Sequence, residues 1–100
     1  MDSNNLLFKM LHYQAWANDE MFEAMKGLDA GQYAEERQSA LKLMNHCLVV
    51  NKIFAAHLVG DRHGFAADKT PETPKLNELR IEVAILDRWY LDYVKMATQT

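Results

Sequence analysis

Residues Ser39 to Gly60, SALKLMNHCLVVNKIFAAHLVG, decide the fold. The stretch holds two charges, Lys42 and Lys52, no proline, and one glycine, at its end. On a helix turning about 100° per residue, its apolar side chains run nearly all the way round. That is the pattern of a helix buried on several sides. Its length would be ~33 Å at 1.5 Å per residue, but the Lys, Asn and His that interrupt it exclude a membrane span. Gly60 suits the position just past a helix end. His46, between Asn45 and Cys47, is the residue in this stretch with chemistry to offer.

On the N-terminal side, Ser3 suits an N-cap and a helix is expected from Leu6. Leu7, Met10, Gln14, Ala17, Met21, Ala24 and Leu28 recur at spacings of three and four, which predicts a core-facing stripe, widened by Tyr13, Trp16 and Phe22. Gln14 in that seam reads either as a satisfied core amide or as a pocket-lining group. Gly27 and Gly31 close the helix. Asp29 and Gln32 have capping-box spacing, and a short helical turn is expected from Gly31 to Glu36. Glu35, Glu36 and Arg37 read as a solvated charge cluster.

On the C-terminal side, Asp61 to Thr73 reads as a loop, long beside the roughly 2–8 residues usual between bundle helices. Thr73 and Pro74 look like an N-cap followed by proline at the first helical position. Beyond them Leu76, Leu79, Val83, Leu86, Tyr90, Tyr93 and Ala97 again repeat at three and four, with charged residues on the other faces. No stretch alternates with period two. The expected fold is all-α, an up-down bundle of three long antiparallel helices in a single domain, residues 1–100.

An apolar share of 49% is enough for a sizeable core and argues against disorder. The net charge is −3 and the basic residues are scattered, which excludes a nucleic-acid groove. One cysteine rules out an internal disulfide framework, and no charged segment leads into an apolar run at the start. A cytoplasmic location is the corresponding expectation, without membrane or nucleic-acid partners. A central helix that is apolar on most sides needs more neighbours than two helices supply, so a homodimer, or exchange of helices between chains, is expected.

The histidines are His12, His46, His57 and His63. None are three or four apart, so no chelating pair lies on one helix turn. His46 and His57 share a stripe but sit ~16 Å apart along the axis, too far for one metal with bonds of ~2.1 Å. On spacing alone, His46 reads either as a hydrogen-bonded core imidazole or as a ligand. His57 and His63 read as solvated groups near the loop, and His12 as partly exposed. Cys47 points about 100° away from His46, so the two are not a catalytic pair; it reads as a small buried hydrophobe.

Two segments resemble a known family. Leu11-His12-Tyr13-Gln14-Ala15-Trp16-Ala17-Asn18 is similar to the first-helix signature of the DinB-like proteins. Leu43-Met44-Asn45-His46-Cys47-Leu48-Val49-Val50-Asn51-Lys52-Ile53-Phe54 resembles their second-helix motif, in which Leu-Asn-His precedes an acidic residue and an aromatic. The likeness continues through Leu58-Val59-Gly60, Pro74, Leu79-Arg80 and Leu86-Asp87. It implies a four-helix bundle, commonly dimeric, with a divalent metal such as zinc or nickel held by three histidines. Members carry out metal-dependent thiol transfer, isomerisation or hydrolysis on small molecules. His46 matches the first ligand. The other two belong to a fourth helix that follows in the family, so the resemblance implies an incomplete bundle and an incomplete metal site, inactive alone. Asn51 stands where the family has an acid and Phe54 where it has Trp. The alternative reading is a non-catalytic helical module for dimerisation or partner binding.

Overall fold

The computed structural model describes residues 3–28, 31–65, 67 and 70–97. These form three helices: α1 (Ser3–Lys26), α2 (Ala34–Val59) and α3 (Leu76–Ala97). Among the described residues there is no strand, and no helix is long and apolar enough to cross a membrane. The all-helical expectation therefore holds.

The arrangement differs from the expected one. The central element is α3, which packs on both other helices, while α1 and α2 scarcely touch. Helices α1 and α3 are antiparallel: Asn18 meets Asp87, whereas Glu23, further along α1, meets Arg80, earlier in α3. Helices α2 and α3 run in the same direction. Arg37 and Leu41 lie beside Pro74 to Asn77, and Ala55 to Val59 lie beside Ile85 to Trp89. The reason is the connection. A helix of 26 residues is ~39 Å long, and the 16 residues from Gly60 to Lys75 can span ~50 Å when extended, enough to carry the chain back to the start of α2.

The core gathers where the three helices converge. Phe22 and Met25 of α1, Leu41 and Leu48 of α2, and Leu76, Leu79 and Val83 of α3 form one buried cluster. Burying side chains of this size stabilises by roughly 1.5–3 kcal/mol each. The stripe expected on α3 is this one: Leu76, Leu79 and Val83 are buried and Leu86, Tyr90 and Tyr93 half-buried, with only Ala97 exposed.

On α1 most of the expected stripe faces outward. Leu7, Met10, Gln14, Met21 and Ala24 are exposed and Ala17 and Leu28 half-buried; of the residues expected to widen it, Phe22 is buried, but Tyr13 and Trp16 are exposed. The stripe that packs is displaced by one residue: Phe8, Leu11, Ala15, Asn18, Phe22 and Met25. One residue is about 100° of rotation. Both stripes are apolar, and the one chosen carries the two phenylalanines and places Asn18 against Asp87.

Helix α2 is not buried all round. Leu41, Asn45, Leu48, Val49 and Ala55 are buried, whereas Leu43, Cys47, Val50, Phe54 and Leu58 face outward. Only α3 packs along it, so no other described helix covers its apolar outer face. Its start also differs. The helix opens at Ala34, so Glu35, Glu36 and Arg37 are its first turn, where the two acids suit the positive end of the helix. Asp29 lies outside the described residues. The end is as expected: Gly60 is left-handed (φ 77°) and Asp61 N–H donates to the Ala56 carbonyl at 2.8 Å, closing the helix. Helix α3 opens at Leu76, two residues after Pro74, and Leu79 N–H donates to the Lys75 carbonyl. Ser3 is the first residue of α1.

Candidate functional site

An open cleft of 410 Å³ lies between α1 and α2, floored by α3. Its polar lining is Gln14 and Asn18 from α1, His46, Cys47 and Asn51 from α2, and Asp87 from α3. The helix stripes explain the gathering. Gln14 and Asn18 stand one turn apart on α1, at the edge of its packed face. His46, Cys47 and Asn51 flank the buried Asn45–Leu48–Val49 side of α2. Asp87 follows Val83 by one turn on the core face of α3.

Asp87 is the charge at the floor of the cleft. Asn18 donates its side-chain N–H to the Asp87 carboxylate, at 3.1 Å to Oδ2 and 3.4 Å to Oδ1. Burial pushes the Asp87 carboxyl above its ordinary value, and the Asn18 hydrogen bond opposes that shift. The pair locks α1 onto α3. It also leaves a carboxyl held toward its protonated form in a half-dry site.

His46 is half-buried and stands on the ridge between this cleft and a second hollow of 820 Å³ under the loop, lined by Lys42, Phe65, Thr70 and Thr73. Its neighbour Asn45 is buried and donates to Thr70 Oγ1 at 2.9 Å, so it ties the loop to α2. Sequence reasoning passed over Asn45 as a flanking residue; a polar side chain on the buried face of an apolar helix was the available signal. Asn51 offers its backbone carbonyl to the Tyr90 hydroxyl at 2.6 Å, a second tie between α2 and α3. Gln14 is exposed and lines the cleft, so the pocket-lining alternative is the one realised. Cys47 is exposed, not a buried hydrophobe, because it lies on the open side of α2.

The other histidines are elsewhere. His12 is exposed, edge-on to Phe8 at 4.7 Å between ring centroids. His57 is exposed and His63 half-buried, with rings 5.9 Å apart at the far end of α2, and His63 Nδ1 accepts the Phe65 N–H. Among the described residues no three His, Cys, Asp or Glu side chains converge as metal ligands. What the cleft offers is amides that both donate and accept, one carboxyl whose pKa burial raises, an imidazole at the rim and apolar walls.

Comparison with protein-family models, with curated proteins and with solved structures finds no match for this chain.

Proposed function

We propose that this chain is a DinB-like helical unit that contributes His46 as one ligand of a divalent-metal site, zinc or nickel, serving small-molecule chemistry of the thiol-transfer or hydrolysis type. In this reading the described residues hold only part of the site, and the unit is inactive until a further helical surface closes the cleft and brings the remaining ligands. The observation that supports it is a convergence. Gln14 and Asn18 of the first motif, His46 of the second, and Asp87 of the third lie far apart in sequence and line one cleft. The amides of Gln14, Asn18 and Asn51 would orient a polar substrate there, and the apolar walls would shield it from water.

Titration with zinc or nickel, followed by calorimetry on the wild-type protein and on His46→Ala, tests the reading. Weak binding that the substitution abolishes is the expected result, since one imidazole alone does not hold an ion tightly. Identical titrations of the two proteins would remove His46 from any site.

A second reading, a non-catalytic helical module that docks another helical surface, is favoured by the open apolar faces of α1 and α2. Met10, Tyr13, Leu43 and Phe54 are each more than half exposed. Folding normally buries such residues, and soluble monomers seldom leave apolar patches of this size bare.

A further inference from the structure

We propose that the cavity at the start of α3, between Arg37 and Lys75, binds the phosphate group of a small phosphate monoester. The cavity shares no lining residue with the cleft, and the inference does not rest on the His46 reading. It follows from the direction of the chain. Because α2 and α3 run the same way, the first turns of both helices stand side by side. The space between them has a volume of 350 Å³. Its polar lining is Arg37 and Gln38 from α2, Thr73 and Lys75 from the connection, and Asn77 from α3.

Arg37 is the first reason. From the sequence it reads as part of a solvated cluster with Glu35 and Glu36, yet it is half-buried. Its Nε–H is shut off from solvent and has no hydrogen-bond partner. Among the described residues no carboxylate pairs with its charge, and Glu35 and Glu36 do not line the cavity. A guanidinium partly stripped of water and left without a counter-charge is costly, and a bound anion offsets that cost.

The other walls favour the same ligand. Lys75 adds a second cation, and among the described residues no acid lines the cavity, in a chain of net charge −3. The first bond into α3 is donated by Leu79, to the Lys75 carbonyl. The N–H groups of Leu76 and Asn77, ahead of it, have no carbonyl to meet inside the helix and add positive potential at the same place. Guanidinium, ammonium, hydroxyl and amide donors therefore surround one small volume. A tetrahedral phosphate offers three oxygens to such a set, whereas a flat carboxylate offers two. The size fits the roughly 300–1,000 Å³ of small-molecule sites and exceeds what a bare phosphate fills. Thr73 also borders the 820 Å³ hollow under the loop, so the organic part of a monoester has room beyond it.

Titrations followed by amide NMR test this, with glycerol phosphate, inorganic phosphate and acetate at constant ionic strength. Glycerol phosphate should shift the amide signals of Leu76 and Asn77 saturably and leave those of Gln14 and Asn18 in place. Inorganic phosphate should bind less tightly, and acetate not measurably. Arg37→Gln should weaken glycerol phosphate binding by about tenfold or more, the loss of a hydrogen bond to a charged group. Lys75 is exposed, so Lys75→Gln keeps the fold; it should weaken binding about two- to fivefold. Lys9→Gln makes the same charge change on the exposed side of α1 and should leave the affinity as it was. If Arg37→Gln loses its helical circular dichroism, Lys75→Gln decides alone. The proposal is overturned by the absence of saturable shifts at Leu76 and Asn77, or by acetate binding as tightly as glycerol phosphate. Inorganic phosphate binding more tightly than the monoester overturns it too, as does Lys9→Gln weakening binding as much as Lys75→Gln. Neither Arg37 nor Lys75 touches the cleft, so His46-dependent metal binding stands or falls separately.

Discussion

The two ends of the molecule are built from the same kinds of residue and end up in different states. At one end Phe22, Met25, Leu41, Leu76 and Leu79 from three helices meet and exclude water. At the other, Leu6, Leu7 and Met10 of α1 and Phe54, Leu58 and Val59 of α2 are as apolar yet stay exposed. The difference is convergence, not composition. Leu91 and Val94 of α3 are buried at this end too, but the outer faces of α1 and α2, which stand on either side of α3 without bridging, are not. Stability should therefore be concentrated at the closed end, with apolar binding capacity at the open one.

The sharpest way to break this comparison is a pair of truncations. Leu79 is fully buried, and Leu79→Ala should cost about 2–5 kcal/mol, a large part of the 5–15 kcal/mol typical of a domain. Met10→Ala, at 60% exposure, should change stability by roughly 0.5 kcal/mol or less. Urea unfolding of both variants measures the contrast. Equal losses would mean that the open end is not open.

A smaller effect is expected from Gly60→Ala, which probes the end of α2 where packing is thin. A side chain there meets nothing within 4 Å, so the cost is that of left-handed backbone alone, about 1–2 kcal/mol. Faster amide exchange at Gly60 and Asp61, with the core amides unchanged, would localise it. No change in either would show that this end contributes nothing to the fold.

The smallest effect sharpens where the closed end stops. Asp87 lies at that border, and its folded-state pKa is raised by burial above the ordinary 3.8. The folded chain thus holds this proton more tightly than the unfolded chain does. The stability this brings is fully present below the ordinary value and is lost as pH rises through the raised one. Asp87→Asn should flatten that part of the pH–stability curve and be no less stable than wild type at neutral pH. Parallel curves for the two proteins would place Asp87 in ordinary solvent.

Much of the fold was legible in the sequence because helical spacing is a strong signal. The α3 stripe from Leu76 to Tyr93 and the stop at Gly60 are where the spacing puts them. The face of α1 was not legible, because Leu7–Met10–Met21 and Phe8–Leu11–Phe22 are both apolar at the same period and differ by one residue. Choosing between them takes the partner, here Asp87 opposite Asn18. The direction of α3 was legible in principle. A connection too long for a hairpin is what a parallel return requires, and Asp61 to Thr73 has that length. At the candidate site, Gln14 and His46 could be singled out one by one, whereas Asp87 reads from spacing as one of the charged residues on the outer faces of α3 and is in fact half-buried at the cleft floor. That they line a single cleft, and that Asn45 is a fastening for the loop, depends on which helix sides face each other, which spacing within one helix does not carry.

The middle helix of the layer is the last of the three to leave the ribosome. Its ties to α1 bridge 57 to 69 positions of chain, so neither earlier helix meets its main support until α3 has been made. During synthesis the two flanking rods must wait with both oily sides bare, a period in which a chaperone or a neighbouring nascent copy is the nearest shelter on offer.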